Sequence, residues 1–393
     1  MSMQKLKSIW ILLSLITTQT IFTQKYPIVY SPEYNISLGK WLDKIIGPLH
    51  PFDTKKYAKI HNHLKQTFNL TDDQFYTPTM ITDEELLKIH DKEYLETLKK
   101  SQTISQAVDL WNVLAIFPNS VLQKTLLNPM KLATGGTVLA AQLAMEHGWA
   151  INLSGGYHHA QPNHAEGGCI FADVPLAIKT LRENEKYKNI KILIVDLDAH
   201  QGNGNALCLK NDLNTFIFDM YNANEYPFYK TQTKVNPIYN GKIAAQHIRF
   251  NMHLDGGYLG TTACSQYLNI SVPLLSAVPF VGAIDKSIER RIDGIEYLTH
   301  LVTYLPQALN ELIRENNCPD LIIFNAGSDV FERDDLGMLN VSKSDIMRRD
   351  QFVWQIAREN DIAIMMVLSG GYGPENAGIV SESIANILSY EQL

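Results

Sequence analysis

The amino-acid sequence predicts an α/β fold: a single large domain in which a parallel β-sheet carries helices on both faces. Three observations predict it. Apolar runs bounded by turn residues recur at Trp149–Leu153, Ile190–Asp196, Thr215–Asp219, Leu268–Val272, Leu321–Asn325 and Ile362–Leu368. They are continuous rather than alternating, as expected of strands buried on both faces. Helix-length segments lie between several of them, notably Val174–Glu185, Ile292–Glu315 and Lys343–Asn360, and strands alternating with helices build a parallel sheet. From Tyr26 onward no Pro/Gly/Ser-rich linker divides the chain.

Taken in order, the first 24 residues stand apart. Lys5 and Lys7 precede an apolar run from Ile9 to Ile16 and then Thr17, Thr18, Gln19 and Thr20, a pattern like the charged and hydrophobic regions of a secretory signal. The run is well short of the ~20 residues a membrane helix needs, and no other segment offers a transmembrane anchor. The cleavage region lacks a small-x-small ending, so a plain N-terminal extension is the alternative, and residues 25–393 form the folded domain. Thr54–Phe68 and Asp83–Lys100 read as helical. The strand at Trp149–Leu153 ends on Leu153-Ser154-Gly155-Gly156-Tyr157, and the strand at Ile362–Leu368 ends on Leu368-Ser369-Gly370-Gly371-Tyr372. Paired glycines let a backbone turn sharply and approach a ligand closely, and strand ends are where such sheets bind ligands. Tyr226–Gly260, with Pro227, Pro237, Gly241, Gly256 and Gly257, has little periodicity and reads as a long loop or insertion.

Composition narrows the function. Of 393 residues, 45% are hydrophobic and 19% charged, which excludes a disordered chain. Thirty-four basic against 41 acidic residues give a net charge of −7. Nucleic-acid binders show a basic stripe, so direct nucleic-acid binding is not expected. Cys169, Cys208, Cys264 and Cys318 are widely spaced with no Cys-x-x-Cys pair, which rules out a thiolate zinc knuckle.

The chemistry concentrates at strand ends. Asp196-Leu197-Asp198-Ala199-His200 leaves an Ile-Leu-Ile-Val strand with polar groups at alternate positions, which point the same way on extended backbone. Ionised Asp is rarely buried unless paired or metal-bound. A divalent metal held by Asp198 and His200 satisfies both acids, whereas a hydrogen-bonded Asp–His turn explains only one. His158-His159 follow Gly155-Gly156-Tyr157; Phe324-Asn325-Ala326-Gly327-Ser328-Asp329 delivers a further acid; Tyr372 ends the set. Two carboxylates and one imidazole leave an open coordination position, the mark of a catalytic zinc. Zinc acidifies water and polarises a carbonyl, a histidine pair offers a general base and acid, and a tyrosine hydroxyl can stabilise an oxyanion. That inventory describes hydrolysis of an amide by metal-activated water.

These residues resemble the zinc-dependent histone deacetylase family, on the arginase/deacetylase fold, from about Tyr26 to Leu388. The resemblance is closest to class IV members and runs through Pro27-Ile28-Val29-Tyr30-Ser31-Pro32, Leu49-His50-Pro51-Phe52-Asp53 and Gly148-Trp149-Ala150-Ile151-Asn152. It continues through Asp196-Leu197-Asp198-Ala199-His200-Gln201-Gly202-Asn203-Gly204 and Asn325-Ala326-Gly327-Ser328-Asp329. It implies that Asp198, His200 and Asp329 bind Zn2+, that His159 is general base and acid, and that His158 supplies electrostatic support, oriented by Asp196. Asn203 stands where class I members have Asp, as in class IV. Tyr372 polarises the scissile carbonyl. A structural K+ ion is implied at Asp196, Asp198, His200, Asp219 and Met220. The implied partners are acylated lysine side chains of proteins, histones among the candidates. The compartment stays open between export, including delivery to a host, and cytoplasm or nucleus.

Two departures matter. Where the family carries Gly-Phe-Cys, this chain has Gly167-Gly168-Cys169, so the Phe that walls the acyl-lysine tunnel is missing. The expectation is a channel that accepts acyl groups longer than acetyl, fatty acyl chains included, unless Phe171, Tyr157 or Phe228 refills the gap. Tyr229–Gly260 is also much longer than in class IV enzymes. Three rivals remain. A two-manganese amidinohydrolase needs acids where Gly202 and Phe331 stand. An acetylpolyamine deacetylase shares the catalytic set, and a non-catalytic acyl-lysine-binding scaffold keeps only the fold. Of the other nine histidines, His50, His61, His63, His90, His147, His247, His253 and His300 read as surface or core residues. His164 alone is near enough to line the entrance.

Overall fold

The computed structural model describes residues 25–37, 53–108, 113–227, 244–254 and 291–391. Among these residues, seven strands make one sheet: β1 (Ile28–Val29), β2 (Trp149–Asn152), β3 (Ile192–Asp196), β4 (Thr215–Asn222), β5 (Phe250–Leu254), β6 (Leu321–Asn325) and β7 (Ala363–Val367). Their order is β1-β2-β7-β6-β3-β4-β5, and every pairing is parallel. All seven therefore present their C-terminal ends to the same edge.

Successive residues of each strand feed two different cores. Leu193, Val195, Phe218, Ile322, Phe324 and Met366 pack on one face; Ile192, Ile194, Ile217, Ile323, Met365 and Val367 pack on the other. This is why the strands read as unbroken apolar runs. Ile192, Leu193, Ile194 and Val195 have no exposed surface, and each contributes roughly 1.5–3 kcal/mol of burial.

The helices divide between the faces. Among the described residues, α1 is Lys56–Phe68, and four short helices follow: α2 (Asp83–Leu86), α3 (Lys92–Thr97), α4 (Ser101–Ala107) and α5 (Asn119–Leu122). Then come α6 (Asn128–His147), α7 (Asp173–Leu181), α8 (Asn203–Cys208), α9 (Gly294–Arg314), α10 (Lys343–Glu359) and α11 (Asn376–Tyr390). The first core takes Tyr57, Ile60 and Leu64 of α1, Leu301 and Leu305 of α9, Trp354 of α10 and Ile384 of α11. The second takes Ala140 and Ala141 of α6, Val174 and Ile178 of α7 and Ala206 of α8. Termini follow their local chemistry. Gly148, at φ 82°, ends α6 and turns the chain into β2, while Asp293 and Ser342 cap α9 and α10 by accepting backbone N–H groups.

Several expectations are corrected. The segment Tyr226–Gly260 is not all loop, because β5 lies within it. Phe250, Met252 and Leu254 are buried, and among the described residues the strand pairs with β4 on one side only. Its alternating pattern is that of an edge strand, a different signature from the continuous runs of the central strands. β4 runs on through Asn222, past the expected end at Asp219. Asp83–Lys100 contains two short helices, α2 and α3, rather than one. β1 is only two residues long and leaves no periodicity to read. Residues 1–24, the segment Leu49–Phe52 and the expected strand Leu268–Val272 lie outside the described residues.

His90 ties this helical N-terminal portion to the loop after β2. The Ala172 N–H donates to Nε2 at 3.0 Å, so the ring proton sits on Nδ1 and is donated to Gln161 O at 2.9 Å. Burial lowers the His90 pKa to about 4. The ring is neutral when folded and charges on unfolding, so its stabilising contribution is complete above pH 6.5 and declines as pH falls toward 4. The loss at pH 5 relative to pH 7 is about 2 kcal/mol. Urea denaturation at both pH values checks this: His90→Gln should shrink the pH 5-to-7 difference by about that amount, and an unchanged difference refutes it.

Candidate active site

Two glycine turns build the site. Gly155 and Gly156, at φ 78° and 83°, occupy the left-handed region. A methyl group on Gly156 would come within 2.4 Å of Asn325 Oδ1. The buried Asp173 carboxylate at the start of α7 accepts from the Gly156 and Tyr157 N–H groups at 2.8 and 2.9 Å, and from Thr137 Oγ at 2.6 Å. The turn is thereby pinned, and it carries His158 and His159 over the strand ends. Its echo on β7 is its neighbour: the Leu368 N–H donates to Ser154 O at 3.2 Å and the Ser369 N–H to Gly155 O at 3.0 Å.

Asp198, His200 and Asp329, from the loops after β3 and β6, are buried, and their ligand atoms lie within 4.8 Å of one another. His200 Nε2 faces Leu336 O at 3.2 Å; a carbonyl only accepts, so Nε2 carries the proton. The Nδ1 lone pair then points at Asp198 Oδ1, 3.1 Å away, and Asp329 Oδ2, 2.9 Å away. A lone pair aimed at two carboxylates demands either a proton or a metal cation between them. Each carboxylate is held from behind. Asp198 Oδ2 accepts from Ser369 Oγ at 2.8 Å and the Gly370 N–H at 2.9 Å, and Asp329 Oδ1 accepts from the Ala199 N–H at 2.9 Å. Burial and the Asp198 charge push the Asp329 carboxyl up to about 7, the strain that a divalent ion would remove. Three ligands with oxygen and nitrogen donors and fixed outer oxygens fit zinc.

The histidine pair has unlike partners. His158 Nδ1 lies 3.0 Å from Asp196 Oδ2, and its Nε2 faces Asp198 Oδ1 at 3.6 Å. Burial alone would lower its pKa, but the Asp196 and Asp198 charges prevail and raise it to about 9. His159 Nδ1 lies 2.7 Å from Asn203 Oδ1. Burial and the neighbouring His158 and His200 charges hold its pKa well below the ordinary value. The neutral His159 ring donates Nδ1–H to the amide oxygen and leaves Nε2 with a free lone pair. The start of α8 underlies both rings, with the Asn205 N–H donating to His158 O at 3.1 Å.

Tyr372 is half-buried, its N–H donating to Asp334 Oδ2 at 2.8 Å and its ring 6.4 Å from that of His200. Burial, then Asp329 and Asp198, raise its phenol pKa, so the hydroxyl keeps its proton. Asp219 is buried in β4 with Met220. Its Oδ2 accepts from the Gly202 N–H at 2.9 Å, while Oδ1 has no hydrogen-bond partner among the described residues. Burial and Asp196 push its pKa up.

The channel residues are placed unequally. Gly167 lies against His159, whose Cδ2 a methyl group there would meet at 2.5 Å; a methyl group on Gly168 would meet nothing within 4 Å among the described residues. Cys169 is buried, its Sγ 3.6 Å from Gly167 O, and Tyr157 packs against both cores. Phe228 lies outside the described residues. Phe171 does not refill the gap, being fully buried beside His90 with Lys131 over its ring. Tyr226 stands beside His159, 4.9 Å from it ring to ring and nearly perpendicular. Sequence reading missed it, although its place just after β4 was a signal. Also missed were Asp173, Ser369 and the buried Lys56, which reaches Ser369 from 313 residues away. His164 is partly exposed, with Nε2 3.2 Å from the Glu166 carboxylate.

Comparison with known proteins adds to this geometry. A family profile described as histone deacetylase domain matches residues 50–388. Histone deacetylase 2 of Arabidopsis thaliana is 32% identical over 364 residues, 92% of this chain and 79% of that protein. Acetoin utilization protein AcuC of Staphylococcus aureus is 30% identical over 184 residues, 46% of each chain. The crystal structure of the HDA15 HD domain superposes with a TM-score of 0.60 at 16% identity, covering 93% of this chain and 91% of that one.

If the triad holds the ion, zinc added to chelator-stripped protein at 100 times its dissociation constant raises the unfolding free energy by about 2.7 kcal/mol. Urea unfolding with and without EDTA measures the rise, and Asp329→Asn should abolish it. Equal gains in both proteins would put the metal elsewhere.

Proposed function

The chain belongs to the histone deacetylase family, and from that premise we propose that it hydrolyses the amide of N6-acyl-lysine in proteins with the help of zinc. The observation that carries the reading is the convergence of Asp198, His200 and Asp329 beside a neutral His159 at one sheet edge. An ion bound by that triad supplies Lewis-acid chemistry, polarising a carbonyl and acidifying water.

The remaining steps belong to the protein. His159, its Nδ1–H engaged by Asn203 Oδ1, has Nε2 available to take a proton from the attacking water and then deliver it to the departing lysine amine. His158, held by Asp196, stabilises negative charge as it develops. The Tyr372 hydroxyl, kept protonated by burial, donates to the carbonyl oxygen as that oxygen becomes an oxyanion. Asn203 in place of a carboxylate supports a class IV assignment and leaves His159 a weaker base but a readier acid. The Oδ1 of Asp219, without a hydrogen-bond partner among the described residues and close to the buried Asp196, supports a potassium ion held with Asp198, His200 and Met220.

Gly168 carries the proposal on acyl length. The space beside it among the described residues supports a channel for octanoyl or longer chains, with Tyr226 an aromatic beside His159. A peptide series from acetyl- to myristoyl-lysine tests both parts. His159→Ala and Tyr372→Phe should each cut turnover by about 100-fold or more. Gly168→Phe should lower the ratio of long-chain to acetyl kcat/KM by about 10-fold or more, a ratio in which any strain common to both substrates cancels. Strict acetyl preference in the wild type would defeat the long-chain proposal, and preference for acetylspermidine over every peptide would defeat the protein-substrate one.

A further inference from the structure

Lys56, in the first turn of α1, has no exposed surface. Burying an ammonium costs several kcal/mol unless it is compensated, and here its Nζ donates to the backbone carbonyl of Ser369 at 3.0 Å. Ser369 sits at φ 49°, a left-handed conformation that a non-glycine residue adopts only under constraint. The same residue donates through Oγ to Asp198 Oδ2 at 2.8 Å, and the amide that follows it, Gly370 N–H, donates to the same oxygen at 2.9 Å. Two donors on one carboxylate oxygen leave Oδ1 as the atom turned toward His200. The orientation of Asp198 thus depends on the Ser369 turn, and that turn carries the Lys56 hydrogen bond.

We infer that Lys56 is a positioning residue for the metal ligand Asp198, holding the Ser369–Gly370 turn in the conformation that grips Oδ2 and leaves Oδ1 for the ion. Charge acts in the same direction. Burial draws the Lys56 pKa down to about 8, with Asp329 and Asp198 drawing it back up, so the ammonium remains the main form at neutral pH. It offsets part of the repulsion between two buried carboxylates before any ion arrives.

The inference rests on the metal-centre reading, and the test separates the two. Zinc dissociation constants of the full chain are measured by competition with a chromophoric chelator, with circular dichroism as the check on folding. Lys56→Met should weaken zinc binding about 10- to 100-fold, the usual cost of losing an outer-shell partner. Lys56→Arg, which keeps charge and donor, should recover most of it. Ser369→Ala should weaken binding alone, and adding Lys56→Met to it should cost less than in the wild type, because both act through one turn. A folded Lys56→Met that binds zinc within twofold of wild type overturns the inference. If Lys56→Met does not fold, Lys56→Gln is read by the same criterion. Failure of the metal reading looks different: wild type itself takes up no stoichiometric zinc, or Asp329→Asn binds it as tightly.

Discussion

Four carboxylates, Asp196, Asp198, Asp219 and Asp329, sit together at one sheet edge with at most 1% of their surface exposed. Water cannot solvate them there, so every charge needs a donor or a cation close by. Much of the surrounding structure answers that demand. The amides of Ala199, Gly202 and Gly370, the hydroxyl of Ser369 and the rings of His158 and His200 all turn inward. Arg349, itself buried, donates through Nη1 to Leu197 O and Gly327 O at 3.1 and 2.6 Å, joining the loops that carry Asp198 and Asp329. Among the described residues, protein donors still leave Asp219 Oδ1 without a hydrogen-bond partner, and His200 Nδ1 faces two carboxylates that only a proton or a cation can bridge. An electrostatic imbalance built into the rigid edge of a sheet is what makes the site a place for cations.

The same edge explains why two nearly identical five-residue turns occur 215 positions apart in the chain yet function as one unit. Leu153–Tyr157 and Leu368–Tyr372 end adjacent parallel strands, so their backbones hydrogen-bond directly. One turn carries the histidines and the other carries Ser369 and Tyr372. The close approach of Gly156 to Asn325 and Ser369 leaves no room for a Cβ. His158, His159, Ser369 and Tyr372 are therefore fixed relative to one another by main-chain geometry, not by flexible loops.

Around that fixed centre the channel wall is uneven. Gly167 is held tightly against His159, while its neighbour Gly168 has nothing within 4 Å of a would-be methyl group among the described residues, both at positive φ. Tyr226 stands edge-on to His159, and Phe171, the aromatic close to Gly168 in sequence, is committed to the core with His90.

Much was legible in the sequence by itself. Continuous apolar runs identify central strands because both of their faces are buried, and strand-end acids and histidines announce a site because buried charge is costly without compensation. The acids and histidine Asp198, His200 and Asp329 stand out by residue type and strand position, whereas the pairing of His158 with Asp196 came only from the resemblance to the deacetylase family. β5 escaped because its residues alternate, β1 because two residues show no period, and Tyr226 because its place just after β4 does not by itself tell which way its ring faces. Only the tertiary structure decided that Lys56 meets Ser369, that Asp173 pins the Gly155-Gly156 turn, and that Phe171 faces inward. The reason is physical: periodicity and residue chemistry are local properties, whereas these contacts join segments far apart in the chain, and their partners exist only once the sheet has set its strand order.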